Sequence, residues 1–251
     1  MIVDFHTHLL YGIDDGSKSE IMSRQMLNEL QSLQIQKVVL TPHFYPYHQS
    51  KSRFLKKRSE AFEKLKEIPE SKNFEFVQGA EVYLDSLLLG YESLLDVCIG
   101  SSDYILIEMP MEEKLSNRSF ELLESVISQF GVTPILAHID RYAYMQKEDN
   151  LMRLKNTGCL FQLNLASFSG FFSKKAYIKY IGKGYIDAFG TDFHKPPLDK
   201  TALNKAYSRI VRAVGDGALT KVKERSERIF SIALNQSDDE LVNIIEDGIV
   251  L

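Results

Sequence analysis

Short apolar runs punctuate the chain, each followed by a polar stretch and then by a segment with helical spacing. The runs are Met1-Ile2-Val3 leading to His6, Val38 to Leu40, Phe74 to Val77, Tyr104 to Ile107, Pro134 to Ala137, Leu160 to Leu163 and Ile186 to Phe189. Runs of this length, bounded by turn residues, read as buried strands. Ile21, Met26, Leu27, Leu30 and Leu33 fit one buried helix face, with Ser17 or Ser19 as its N-cap. Further helices are expected over Arg53 to Lys66, over Ser119 to Phe130 with Gly131 as the stop, and over Leu151 to Asn156 with Gly158 as the stop. Everything after about Asp199 reads as helical. Seven strands at a spacing of roughly 30 residues, with helices between them, predict parallel βα units of the α/β class. No charge run or low-complexity linker divides them, so one barrel-like domain over residues 1–251 is expected.

In such barrels the functional site lies at the C-terminal ends of the strands. His6, His43, Glu81, Glu108, His138, Asp192 and His194 all fall at or just after a predicted strand end. His6 and His8 are one residue apart, so alternation along a strand turns both to one side. Asp192-Phe193-His194 repeats that spacing. Five of the six histidines sit at strand ends or in these two pairs, and His48 stands apart in an aromatic loop. Taken singly, each residue has a plainer reading. His43 after Pro42 suits a turn, Glu81 and Glu108 suit solvated strand ends or helix caps, and Asp14-Asp15-Gly16 suits a turn. Their coincidence at one rim is what points to chemistry.

Composition narrows the classes. The chain has 251 residues, 44% hydrophobic and 25% charged, which is ordinary for a globular protein with a sizeable core. The formal net charge of −4 argues against wholesale nucleic-acid binding. No apolar run approaches a bilayer span, no signal peptide is evident, and Cys98 and Cys159 form no framework, so a cytoplasmic location is expected. A cysteine-based phosphatase is excluded. That chemistry needs an arginine about six positions after the thiolate, where this chain has Tyr104 and Leu165.

The candidate ligand set is His6, His8, Asp15, His43, Glu81, Glu108, His138, Asp192 and His194. Nine ligands exceed the needs of one ion, so two or three ions sharing carboxylates are expected. Imidazole and carboxylate without thiolate suit manganese, iron or zinc. With three divalent ions against four carboxylates the cluster is net positive, a trap for a phosphate dianion.

The segments His6-Thr7-His8, Asp14-Asp15-Gly16-Ser17, Thr41-Pro42-His43, Gly79-Ala80-Glu81, Ile107-Glu108, Ala137-His138-Ile139-Asp140-Arg141 and Asp192-Phe193-His194 resemble the PHP (polymerase and histidinol phosphatase) superfamily. Within it the chain is most similar to the bacterial manganese-dependent protein tyrosine phosphatases of capsule and exopolysaccharide clusters. The likeness runs in order from the N-terminus to about Lys200. It implies a distorted (β/α)7 barrel and a three-metal site, with Glu81 as the bridging carboxylate, Arg141 as a phosphate-binding arginine and Mn2+ as the metal. Related sequences carry a second arginine after the last Asp-x-His, where this chain has Lys195-Pro196-Pro197-Leu198-Asp199-Lys200. Lys195 or Lys200 can replace its charge but not its bidentate geometry.

The chemistry so implied is attack of a metal-activated hydroxide on a phosphomonoester, with His43 or His194 as ligand or proton donor. The expected partner is a phosphotyrosine protein, the tyrosine-rich tail of a bacterial tyrosine kinase. Phe44-Tyr45-Pro46-Tyr47 either packs against the phosphotyrosine ring or forms a structural cluster. The other readings are a small-molecule phosphatase such as histidinol phosphatase, a phosphodiesterase or nuclease, and a non-enzymatic regulator.

Overall fold

The computed structural model describes residues 3–168 and 175–235. Met1 and Ile2 of the first apolar run, and the stretch from 236 onward of the expected helical tail, lie outside them. Among the described residues nine strands form: β1 (Val3–Thr7), β2 (Lys37–Leu40), β3 (His43–Phe44), β4 (Glu75–Gln78), β5 (Glu81–Tyr83), β6 (Tyr104–Glu108), β7 (Thr133–Leu136), β8 (Leu160–Asn164) and β9 (Ala188–Gly190). Seven α-helices accompany them among the same residues: α1 (Glu20–Ser32), α2 (Lys51–Glu67), α3 (Asn117–Phe130), α4 (Glu148–Lys155), α5 (Lys175–Gly182), α6 (Lys200–Val214) and α7 (Asp216–Ala233). Ser19 caps α1, accepting from Met22 N at 3.3 Å, and Gly131 ends α3 in the left-handed conformation. Ser17 is no cap; its hydroxyl lies 2.8 Å from that of Ser23.

All strand pairs are parallel, in the orders β1-β2-β4 and β3-β5-β6-β7-β8-β9. Two expected strands do not stop where the sequence suggests. The run through Leu40 breaks at Thr41-Pro42 and resumes as β3, and the run through Gln78 breaks at Gly79-Ala80 and resumes as β5. Pro42 has no N–H to give the ladder, which explains the first break. Pairing continues through both, with Gly79 N donating to Leu40 O at 2.8 Å and Glu81 N to Pro42 O at 3.0 Å. The result is a curled parallel sheet. Its far edges meet where Asp192 N donates to His6 O at 2.8 Å and His8 N to Phe193 O at 3.1 Å.

Alternation sorts the strand residues onto two faces. Val38 and Leu40 pack outward on α1 and α2, and Ile105, Ile107, Leu136, Phe161 and Leu163 pack outward in a second helix-covered cluster. Val3, Phe5, Val39, Val77, Leu106, Ile135 and Ala188 face inward, with Phe230 of α7 packed among them. This apolar floor holds the chemistry above it. In β1 three steps from Asp4 to Thr7 oppose two in β2, a bulge. A bulge re-aims the residues beyond it, so Phe5 serves the floor while His6 and His8 serve the site.

Phe230 is fully buried in the floor, so Phe230→Ala is expected to cost about 3–5 kcal/mol. Urea unfolding of the variant beside the parent measures this, and an unchanged midpoint would remove α7 from the core.

Candidate metal centre

All nine residues of the expected ligand set converge. Glu81 is fully buried at their centre. Its Oε2 lies 3.0 Å from His6 Nε2, 3.4 Å from His8 Nε2 and 2.9 Å from His43 Nδ1. Its Oε1 accepts from or faces His138 Nε2 at 2.8 Å, and Glu108 Oε1 lies 3.8 Å from the same nitrogen. On the other flank Asp192 Oδ1 is 3.5 Å from His6 Nε2, 3.5 Å from His8 Nε2 and 3.3 Å from His194 Nδ1. Asp15 Oδ1 stands 3.4 Å from His43 Nε2 and 3.3 Å from His194 Nε2.

The donor set fits divalent cations. Ligand atoms fall into three compact groups: His8, Asp15, His43 and His194; His6, His8 and Glu81; and His43, Glu81 and Glu108. Glu81 Oε2 and His138 Nδ1 are buried without a hydrogen bond among the described residues, which is costly unless a cation meets them. His6 Nε2 and His8 Nε2 face each other at 3.1 Å, where two lone pairs need a shared proton or a shared cation.

Electrostatics agree. Burial by itself raises a carboxyl, yet the charge of His6, the hydrogen bond with His138 and the close imidazoles of His43 and His6 hold Glu81 well below the ordinary carboxylate range. Asp192 is lowered in the same way, its burial outweighed by His6, His8 and Arg141. Burial disfavours charge on His6 and His8 too, but Glu81 with Asp192 for His6, and Asp14, Asp192 and Glu81 for His8, raise both imidazoles. Glu108 moves upward through burial and the Glu81 charge.

The sequence reading missed the residues behind the ligands. Asp14, read there as part of a turn, takes a short contact from His8 Nδ1 at 2.8 Å and accepts from Gly16 N at 2.9 Å and His43 N at 3.0 Å. Burial opposes its charge, but His8 and those N–H groups bring it down to about 2. Gln162 Oε1 lies 3.3 Å from His6 Nδ1 and accepts from His138 N at 2.6 Å. Gln162 donates to Asn164, which donates to Asp192 Oδ2 at 2.9 Å. Such partners fix the ring orientation and tautomer of ligating histidines. A polar Gln162 and Asn164 inside an apolar strand run was the signal available. Asp4 ties β1 to the last strand end, accepting from Thr191 N at 2.8 Å and from its hydroxyl at 2.6 Å.

Two glycines make room. A Cβ on Gly16 would lie 2.3 Å from His8 Cβ, and one on Gly190 would lie 2.6 Å from His6 Cβ. His138 and Asp192 adopt left-handed φ values of 31° and 55°, a strain that non-glycine residues carry mainly at functional sites.

Arg141 reaches the rim. Its side chain is 46% exposed and its guanidinium donates to Asp192 Oδ2. Lys195 is exposed next to His194, and Lys200 opens α6; neither bonds to a site residue among the described residues. Phe44 turns into the core against Phe54, whereas Tyr45 stacks on His43 with ring centres 5.0 Å apart. The Tyr45 hydroxyl lies 3.2 Å from His43 Nδ1 and donates to Glu108 Oε2 at 3.3 Å.

Among known proteins, a family model described as "Capsular polysaccharide synthesis, CpsB/CapC" matches residues 2–229. The chain is 28% identical over 242 residues to the putative tyrosine-protein phosphatase CapC of Staphylococcus aureus, covering 89% of this chain and 92% of that one. It is 28% identical over 230 residues to the tyrosine-protein phosphatase CpsB of Streptococcus pneumoniae, covering 85% and 91%. Its fold matches a structure from the work on YwqE of Bacillus subtilis and CpsB of Streptococcus pneumoniae, described as unique metal-dependent tyrosine phosphatases. The TM-score is 0.75 at 20% identity, over 94% of this chain and 96% of that one.

If the cluster binds a divalent cation, Gly16→Ala is expected to weaken that binding about 10- to 100-fold by displacing His8, as loss of a ligand's support does. Calorimetric titration with Mn2+ measures it, and unchanged affinity would show that His8 is not a ligand. A metal must also displace the protons on His6 and His8, whose affinities for them are raised above 6.5. Metal affinity is therefore full above those raised values and falls as pH drops through them, by about tenfold per unit for each proton displaced. Titration at several pH values would reveal a flat profile if no histidine binds metal.

Proposed function

Since the chain belongs to the capsular polysaccharide synthesis family CpsB/CapC, we propose that it is a metal-dependent protein tyrosine phosphatase. One observation carries the reading: eight imidazole and carboxylate residues gather around a ninth, the buried Glu81, with the guanidinium of Arg141 at the open rim. The names of the relatives support the choice of substrate. The curled sheet, whose edges meet at His6 and Asp192, is assigned as a distorted (β/α)7 barrel in a single domain.

The three ligand groups would hold three divalent ions, with manganese favoured and iron or zinc suited to the same donors. His138 adds its imidazole beside Glu81 and Glu108, and Asp192 adds its carboxylate beside His6 and His8. When bound, such ions supply positive charge for the phosphate and acidify a water to serve as the nucleophile. Glu81, with one oxygen toward His138 and the other toward His6, His8 and His43, would be the carboxylate shared between ions.

Arg141 exchanges its bond to Asp192 for the substrate's phosphate oxygens and neutralises the charge that builds on them. Lys195, exposed beside His194, is assigned the second cationic position, with Lys200 on the first turn of α6 as its alternative. His194 Nδ1 lies 3.0 Å from Asp192 O and donates to it, which leaves Nε2 with a lone pair facing Asp15. That orientation, and the position of His43 between Asp15 and Glu81, assign both imidazoles to ligation rather than to proton donation. A tyrosine leaving group needs little acid assistance, its phenol having a pKa of about 10.

No helix among the described residues is long and apolar enough to cross a membrane. We assign the protein to the cytoplasm, acting on the tyrosine-rich tail of a bacterial tyrosine kinase that controls capsule or exopolysaccharide synthesis. Phosphate release from a phosphotyrosine peptide, a phosphoserine peptide and histidinol phosphate, with Mn2+ and with chelator, tests the reading. Preference for phosphotyrosine, abolished by chelation, is expected; preference for histidinol phosphate would move the protein to small-molecule metabolism. Arg141→Ala should lower kcat/KM about 100-fold while metal content stays constant. Unchanged turnover in that variant would remove Arg141 from the mechanism.

A further inference from the structure

The register of the sheet stacks its inward side chains in layers. β3 and β5 pair His43 with Glu81 and Phe44 with Val82. Phe44 and Val82 face outward into the helix-covered cluster, so the flanking positions face inward. One inward rung is therefore His43 with Glu81, at the metal centre, and the next rung toward solvent is Tyr45 with Tyr83. Their rings stand 5.6 Å apart. On the other side Tyr83 pairs with Glu108. Tyr47 completes the group, 5.7 Å from Tyr45 and edge-on to Tyr83 at 5.8 Å.

Tyr45 is already engaged, with its ring on His43 and its hydroxyl at Glu108. Tyr47 and Tyr83 are engaged through their rings alone, Tyr47 also packing on His48 with ring centres 4.6 Å apart. Neither hydroxyl makes a hydrogen bond to a described residue, and Tyr47 is 51% exposed. A cluster built only for stability would bury these faces. Here they stand one rung above the ligands, where the group esterified to a phosphate at the metals must lie.

We propose that Tyr47 and Tyr83 form an aryl-recognition wall that selects phenyl esters of phosphate, phosphotyrosine above all, over alkyl esters. The assignment rests on the phosphatase reading and goes beyond it by naming the residues that set its specificity. The phosphate is held by charge, which every phosphomonoester shares. Discrimination must come from what surrounds the ester's carbon side, and an aromatic ring gains from offset or edge contacts with other rings. A serine side chain carries no ring to offer these contacts.

The test is calorimetric binding of phenylphosphonate and methylphosphonate, which resist phosphate-ester hydrolysis, to the manganese-loaded full chain. The parent is expected to bind phenylphosphonate about tenfold more tightly. Tyr47→Ala and Tyr83→Leu should each shrink that preference toward parity, whereas Tyr83→Phe, which keeps the ring, should retain it. Metal content and thermal unfolding of each variant verify that the site is intact. A preference that survives in both ring-deleting variants, or is missing from the parent, would overturn the wall. Phosphate release from the phosphotyrosine peptide, followed in parallel, separates the two ideas. A parent that prefers phenylphosphonate yet releases no phosphate keeps the wall and sinks the phosphatase reading, while turnover without the preference does the reverse.

Discussion

A carboxylate taken wholly out of water stays ionised only if positive charge or strong donors meet it, and the site is arranged around that requirement at Glu81. Desolvation of such a group costs several kcal/mol. Four imidazoles from three separate stretches of chain repay it: His6 and His8 from the first strand and the turn beyond it, His43 from β3, and His138 from the end of β7. None of these histidines is local to Glu81. The interaction therefore exists only when the sheet has curled, so the fold and the charge cluster depend on one another.

The backbone concessions gather around the same point. The β1 bulge, the breaks at Pro42 and Gly79, and the left-handed residues His138 and Asp192 all lie beside ligands. A regular ladder would carry these side chains in fixed alternation and leave the ligand atoms too far apart. The cost of each irregularity is offset by bonds just outside the cluster. His138 N donates to Gln162, Asp192 N donates to the His6 carbonyl, and Asp4 grips Thr191.

Below the charged layer the apolar floor, sealed by Phe230, excludes water from the inner side of the ligands. Above it the rim is aromatic on one side and cationic at Arg141 on the other. Membership in the CpsB/CapC family accords with this vertical order, because a metal-assisted hydrolase needs a dry support, a dense ligand layer and a selective mouth. The ordering also separates roles: the middle layer supplies chemistry common to phosphomonoesters, and the rim supplies choice among them.

Much of this was legible in the chain. Strand runs with polar ends gave the parallel βα order, and His-x-His, Asp-x-His and the carboxylates at strand ends marked the residues that converge around Glu81, because side-chain alternation and chain direction are local properties. The sequence could not show that two strands resume past Pro42 and Gly79, since hydrogen bonds across the sheet carry them through the breaks. Nor could it distinguish Asp14 from a turn residue, because its value lies in reaching His8 and the His43 amide at once. Tyr83 was silent for a similar reason: only register against β3 and β6 brings it above Glu81 and beside Tyr45. Residue type and spacing set what each strand end can bind. Register, curvature and the breaks in the ladder, which are long-range by nature, decided which of those ends meet.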